Sequence, residues 1–281
     1  MGQLIVNLTH DVDRISKTYQ YITKNLAKFK LKFLFQIFYQ TNPYWCFDKI
    51  IELEDKYKVR STFFFLEESL PINIFKPSKW FLTLGRYNFD NKKIQQIIKK
   101  LDSNGWEIGL HGSYNSYKEL SLLTKEKDKL EKILGKEVIG IRQHHLNLNI
   151  PDTWKLQSKA GFLYDASYGK KRGLGFLDKK NKPFNNSESN MCIIPLTFME
   201  FNLMNEAENN IEIAWSKLLE IINLAEKTNS VLSVLWHQRM FNEKEFPGYY
   251  CLYEKLIVEC QKRNSRFLTC KEVYQNFSNN N

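Results

Sequence analysis

Cysteine is scarce and patternless in this chain: Cys46, Cys192, Cys251, Cys260 and Cys270 contain no C-x-x-C spacing, and five of them cannot complete a disulfide framework. A disulfide-stapled scaffold is therefore excluded, and a reducing, cytoplasmic compartment is expected. No apolar run is long enough to span a bilayer. The opening residues pass straight into a strand-like stretch with no charged n-region, long apolar h-region or small-residue cleavage site, so no secretory signal is expected. Nucleic-acid-binding motifs are missing. Neither Ser113 nor Ser116 sits in a G-x-S-x-G elbow, which argues against a serine hydrolase.

Acidic residues are outnumbered, 31 against 41 Lys and Arg, which leaves a net charge of +10. Such an excess can mark an anionic partner. Here the lysines are scattered among apolar residues at helical spacing in 24–32, 92–100 and 125–136, as on solvated helix faces. No nucleic-acid partner is expected. The basic surface would suit a phosphate-bearing carrier or the inner face of a membrane.

What remains is globular: 281 residues, 43% hydrophobic and 14% aromatic, enough for a large core. Apolar stretches that read as strands fall at 4–8, 59–65, 106–110, 138–141, 162–164, 191–196, 231–236 and 266–269. Between most of them lie helical patterns, at 15–38, 45–58, 94–101, 122–134, 154–160, 211–226 and 253–262, with a short helix at the end. The aromatic side of 15–38 predicts a core-packing helix. Residues 70–90, with Pro71, Pro77 and Trp80 and little periodicity, read as an inserted loop that could form a lid. Strand-helix alternation predicts a mostly parallel sheet with right-handed crossovers, and this many units predicts an α/β fold with a distorted (β/α) barrel of seven or so strands. No composition break divides it, so residues 1–281 read as one domain.

Reactive side chains of such barrels sit where strands end. Asp11, Asp13, His111, Arg142, Asp165 and His237 all fall there. Two acids two residues apart can point the same way, although such a pair alone also fits a helix N-cap or a solvated loop. Adding His111 and His237 from distant strands supplies the ligand and acid/base types of a water-activating divalent metal site.

These stretches resemble the motifs of the polysaccharide deacetylases, the NodB-type carbohydrate esterases. Thr9-His10-Asp11-Val12-Asp13 is similar to their Thr-Phe-Asp-Asp motif, residues 105–116 to the His-containing motif, and residues 141–145 stand where the arginine motif is expected. Residues 161–167 and 234–237 resemble the last two motifs. The resemblance implies metal-dependent hydrolysis of an acetamido or formamido group on an amino sugar, with zinc the best candidate and cobalt, nickel, manganese or iron as alternatives. It also implies roles: Asp11 as general base, Asp13 and His111 as metal ligands, Arg142 as the arginine on the base, Asp165 as the carboxylate that orients the acid, and His237 as general acid.

Two departures bear on these roles. Val12 displaces the metal-binding aspartate by one residue, and Asn115 stands where the family places its second histidine. The third ligand is then His144, preferred over His145, with Asn115 or solvent as the other choices. His144 and His145 also fit a hydrogen-bonded loop or a substrate contact. Alternation points His10 away from Asp11, so it is expected to be packed behind the site. The variant motif and missing export signal suggest a nucleotide- or lipid-linked precursor of a surface polysaccharide (O-antigen or capsule) as substrate. The alternatives are a glycan-binding barrel without activity and a glycosidase that uses Asp11 and Asp13 as its carboxylate pair.

Overall fold

The computed structural model describes residues 3–17, 43–71, 75, 80–83 and 85–279. Ten strands among them form one curled sheet. They are β1 (Ile5–Val12), β2 (Thr62–Leu66), β3 (Glu107–Gly112), β4 (Gly140–Gln143), β5 (Tyr164–Asp165), β6 (Phe184–Asn185), β7 (Cys192–Ile193), β8 (Phe198–Met199), β9 (Val231–Leu235) and β10 (Arg266–Phe267). Their order is β6-β7-β5-β4-β3-β2-β1-β9-β8, and β10 pairs with the amino-terminal end of β1. Every pairing is parallel except β6 with β7. The expected distorted (β/α) barrel is therefore present, as a half-barrel that stays open between β6 and β8.

The crossover helices are α1 (Phe47–Lys56), the single turn α2 (Trp80–Thr83), α3 (Lys92–Ser103), α4 (Leu120–Leu134), α5 (Asp152–Lys159), α6 (Glu200–Glu206), α7 (Ile211–Lys227), α8 (Tyr249–Lys262) and the terminal α9 (Cys270–Ser278). Asn91 and Asn210 cap α3 and α7 by accepting from the second and third backbone N–H groups, and Thr269 with Glu272 makes a capping box on α9. No helix of the described residues is long and apolar enough to cross a membrane. The core-packing helix expected at 15–38 lies almost wholly outside the described residues.

Alternation along β1 sorts its side chains into two environments. Val6, Leu8 and Val12 join the apolar layer between sheet and helices. Asn7, Thr9 and Asp11 face the barrel interior, where Asn7 Nδ2 donates to the Leu268 carbonyl at 2.8 Å and Thr9 Oγ1 to the Val234 carbonyl at 2.7 Å. His10 points outward, as expected, and is fully buried: its Nδ1 lies 2.6 Å from the Trp236 carbonyl and its Nε2 3.0 Å from Glu54 Oε1. Glu54, on α1, also accepts from Ser61 Oγ, Trp106 Nε1 and Tyr253 Oη, so four elements are tied to the back of β1.

Large rings fill the barrel interior, and glycine makes room for them. A Cβ on Gly140 would lie 1.9 Å from the Tyr164 hydroxyl, and one on Gly109 2.6 Å from the Phe64 ring. Several strands run farther toward their carboxyl ends than hydrophobicity alone predicts. β1 continues through Thr9, His10 and Asp11, and β3 through His111 and Gly112, because their polar side chains find partners in the barrel or behind it. Residues 70–90 are tied down at their carboxyl end: Tyr87 Oη donates to the Val12 carbonyl at 2.6 Å and accepts from the Leu66 N–H at 2.8 Å, while Phe89 is buried.

Candidate metal centre

Asp11 ends the inward row of β1, and Arg142 reaches it from β4 across the barrel. The guanidinium is buried against the Phe64 ring, with 4.5 Å to the centroid. It is held by three acceptors: Nε on the Ala166 carbonyl at 2.9 Å, and Nη1 on Thr9 Oγ1 at 2.7 Å and Asp11 Oδ1 at 2.9 Å. One carboxylate oxygen of Asp11 is thus fixed. The other, Oδ2, faces His111 Nε2 at 3.6 Å.

His111 stands at the end of β3, its Nδ1 2.8 Å from the Arg142 carbonyl. A carbonyl can only accept, so Nδ1 carries the proton and Nε2 presents a lone pair. That lone pair faces Asp13 Oδ1 at 3.3 Å. His144 approaches the same oxygen with its Nε2 at 3.7 Å; the guanidinium of Arg86, which can only donate, lies 3.3 Å from that nitrogen, so Nε2 carries no proton and its lone pair accepts from Arg86. Its Nδ1 turns to Glu68 Oε2 at 3.5 Å. Burial pushes the His144 imidazolium well below its ordinary pKa, which leaves the neutral, ligating form.

Among the described residues, Asp13 Oδ1 is a buried oxygen with no hydrogen-bond donor. One ligand atom each from Asp13, His111 and His144 lies within 4.8 Å of the other two. Converging lone pairs repel one another unless a cation sits among them. Two imidazoles and a carboxylate are a donor set that suits zinc or a similar divalent transition metal and leaves a coordination position open. Burial opposes ionisation of Asp13, while the charges of His237 and Arg239 favour it.

His237 follows β9 and closes the other side. Its Nδ1 lies 2.6 Å from Glu200 Oε1 and its Nε2 3.6 Å from Asp13 Oδ2. Burial lowers the imidazolium pKa, but the Glu200 carboxylate outweighs it and the net shift is upward. Arg239 donates from Nη1 to Asp13 Oδ2 at 2.9 Å. Arg86, on the 70–90 segment, donates from Nη1 to the Asp13 carbonyl at 2.9 Å.

Asp165, expected to orient His237, instead bonds to Ser167 and Gln157. Its carboxylate, pushed up by burial, accepts from Ser167 N at 2.9 Å, Ser167 Oγ at 2.7 Å and Gln157 Nε2 at 2.8 Å. Ser167 Oγ in turn accepts from Gln143 N at 2.7 Å, so Asp165 braces the strand end that carries His144. The carboxylate on His237 is Glu200, in the first turn of α6 just past β8. No motif marks it in the sequence. The only hint is an acid following the short stretch Phe198–Met199.

These groups open into a cleft of about 520 Å³ at the carboxyl ends of the strands, lined by four of the chain's five histidines. His145 and Leu146 hold left-handed backbone, at φ 59° and 50°, and His145 lies on the rim against Tyr114. Asn115 precedes the turn Ser116–Lys118 without a side-chain capping bond and is not among the residues that line the cleft.

No family model matches the sequence, and no curated protein does. Solved structures match throughout. A Mycobacterium smegmatis protein described as a polysaccharide deacetylase superposes with a TM-score of 0.60 at 16% identity, over 98% of this chain and 91% of that one. The Bc1960 peptidoglycan N-acetylglucosamine deacetylase superposes at 0.51 and 14% identity, over 98% and 89%. BA3943 of Bacillus anthracis, a pseudoenzyme of the CE4 family, does so at 0.51 and 12%, over 97% and 66%. An enzyme and a pseudoenzyme share this architecture, so activity must be argued from the site. The chain has the NodB-like (β/α) barrel fold of the polysaccharide deacetylases.

Proposed function

We propose that the chain is a metal-dependent hydrolase that removes an N-acyl group, acetamido or formamido, from an amino sugar. The observation that carries this reading is the gathering of two unprotonated imidazole nitrogens, of His111 and His144, beside the donor-free Oδ1 of Asp13. A carboxylate on one side and a histidine-carboxylate pair on the other flank that point. Asp13, His111 and His144 would hold the cation, zinc by preference, with cobalt, nickel, manganese or iron as alternatives. When bound, such an ion makes a water acidic enough to deprotonate near neutral pH and polarises the amide carbonyl.

The chain's own groups supply the proton transfers. Asp11 Oδ2 takes a proton from the attacking water while Arg142 holds Oδ1, so the base keeps one oxygen free and one fixed. His237 gives the proton on Nε2 to the sugar nitrogen as the C–N bond breaks, which avoids an amide anion as leaving group. Glu200 supports the imidazolium charge that this donation requires. Water adds across the amide, and the products are a carboxylate and an amine.

The rivals fit less well. A glycosidase needs two carboxylates flanking the scissile bond, whereas Asp11 and Asp13 turn to the same nitrogen of His111. A glycan-binding protein without activity would have no need of a donor-free carboxylate oxygen facing two bare imidazole nitrogens. The basic composition supports a role at or near the inner face of a membrane, on a nucleotide- or lipid-linked surface-polysaccharide precursor such as one for O-antigen or capsule. Zinc-loaded protein incubated with N-acetylated amino sugars tests the reading. Release of acetate that stops on chelation supports it, release of reducing sugar indicates the glycosidase, and neither product together with no bound metal leaves the inactive barrel.

A further inference from the structure

His144 carries a polar atom to which the metal centre gives no work. With Nε2 unprotonated, the neutral ring keeps its proton on Nδ1. That nitrogen is buried and makes no hydrogen bond among the described residues. The acid facing it is Glu68, with Oε2 at 3.5 Å. A shift of about 0.5 Å would bring the two atoms to an ordinary hydrogen-bond length.

Glu68 lies just past β2, and β2 runs between β1 and β3, so this acid reaches the same sheet edge as Asp13 and His111. Its side chain is 1% exposed, and it is not among the residues lining the reaction cleft. Two backbone groups hold the carboxylate: the Leu70 N–H donates to Oε1 at 3.1 Å and the Tyr114 N–H to Oε2 at 3.2 Å. A buried carboxylate gains from every further donor, and the His144 Nδ1 proton is one still open. Across the ring, Arg86 faces Nε2 and also donates to the carbonyls of Leu82 at 2.8 Å and Asp13 at 2.9 Å. Arg86 therefore keeps both carbonyls when His144 gives its lone pair to a cation.

We infer that Glu68 is a positioning residue of the metal centre: its carboxylate accepts the His144 Nδ1 proton, which fixes Nε2 toward Asp13 and strengthens that nitrogen as a ligand. The inference rests on the proposed Asp13, His111 and His144 site. Glu68 lies outside every stretch that resembles a deacetylase motif. The two histidines are then set by different acceptors. His111 Nδ1 rests on the neutral Arg142 carbonyl, whereas a carboxylate partner makes a shorter, charge-assisted bond and a more basic imidazole.

Zinc affinity, measured by chelator competition, and imidazole proton-nitrogen NMR of the zinc-loaded protein test this together. In the wild type, His111 and His144 should each show a proton on Nδ1, with the His144 proton the farther downfield because its acceptor is charged. Glu68→Gln cannot reproduce the pattern, because its amide NH2 must oppose the Leu70 N–H, the Tyr114 N–H or the His144 Nδ1–H. It is expected to weaken zinc binding by about 10–100-fold, to move the His144 proton upfield and to leave the His111 proton in place. Unchanged zinc affinity, or a His144 proton that does not move, overturns the role of Glu68. The wild-type spectrum is decisive even if the variant does not fold: a His144 proton on Nε2, or an Nδ1 proton upfield of that of His111, overturns it as well. Wild-type protein that takes up no zinc contradicts the metal centre itself, whereas zinc held equally by wild type and Glu68→Gln contradicts the positioning residue alone.

Discussion

At the residue scale the account assigns different work to acids only two positions apart. Asp11 is held by Arg142 and keeps one oxygen toward the cleft, while Asp13 has an oxygen with no donor. Asp11→Asn is expected to bind zinc with unchanged stoichiometry and to lose roughly 10²–10⁴ in kcat, the range of a positioned general base. Asp13→Ala should lose both metal and turnover, as metal analysis and acetate release would show. Glu200 acts through His237, so Glu200→Gln is expected to lower kcat by about 10–100-fold, a part of what a positioned acid supplies. KM and bound zinc should stay as in the wild type, and loss of zinc would place Glu200 in the metal site instead. Most of these side chains were legible in the sequence because chemistry-bearing residues recur where apolar stretches stop. Glu200 was not, because the stretch before it, Phe198–Met199, is too short to show a period. Asp165 stood at a strand end, yet its partners proved to be Ser167 and Gln157, a matter of side-chain reach that no spacing records.

At the scale of elements, the strands depend on what they pack against. Gly140 in β4 faces the Tyr164 hydroxyl so closely that Gly140→Ala must displace the ring or the strand. A loss of ~1–3 kcal/mol is expected in denaturant melts, as for other overpacked cores. Glu126 on α4 accepts from the Ser113 N–H at 3.1 Å, and burial pushes its carboxyl from an ordinary 4.5 up to about 8. Between these values the folded chain binds a proton that the unfolded chain has released. This group's contribution to stability is therefore intact below about pH 4.5 and is lost as pH rises toward 8. Glu126→Gln should match the wild type near pH 4.5 and exceed it by on the order of 2–4 kcal/mol at pH 8. Equal stability of the two at both pH values would contradict the buried acid. The alternation of strands and helices was readable from hydrophobic periodicity, whereas strand ends were read short in β1 and β3. Near their carboxyl ends both carry polar residues that are buried by partners distant in sequence, such as Arg142 for Asp11. The two-residue strands β6 and β8 carry no period at all.

At the scale of the whole molecule, β1, β3 and β4 bring Asp13, His111 and His144 from positions more than 30 residues apart to one point at the carboxyl edge of the sheet. Parallel pairing does this: each strand adds one end to the same edge, and the register sets His111 beside Arg142. The distorted barrel expected from the number of units takes the form of a half-barrel, open between β6 and β8. His144, just past β4, stands between Asp13 and the left-handed backbone of His145 and Leu146. The most direct test is anomalous scattering at the zinc edge from crystals of the zinc-loaded protein. The account predicts one strong peak at ~2.0–2.2 Å from His111 Nε2, His144 Nε2 and an Asp13 oxygen. A peak that leaves out His144, or no peak between these three side chains, would contradict it.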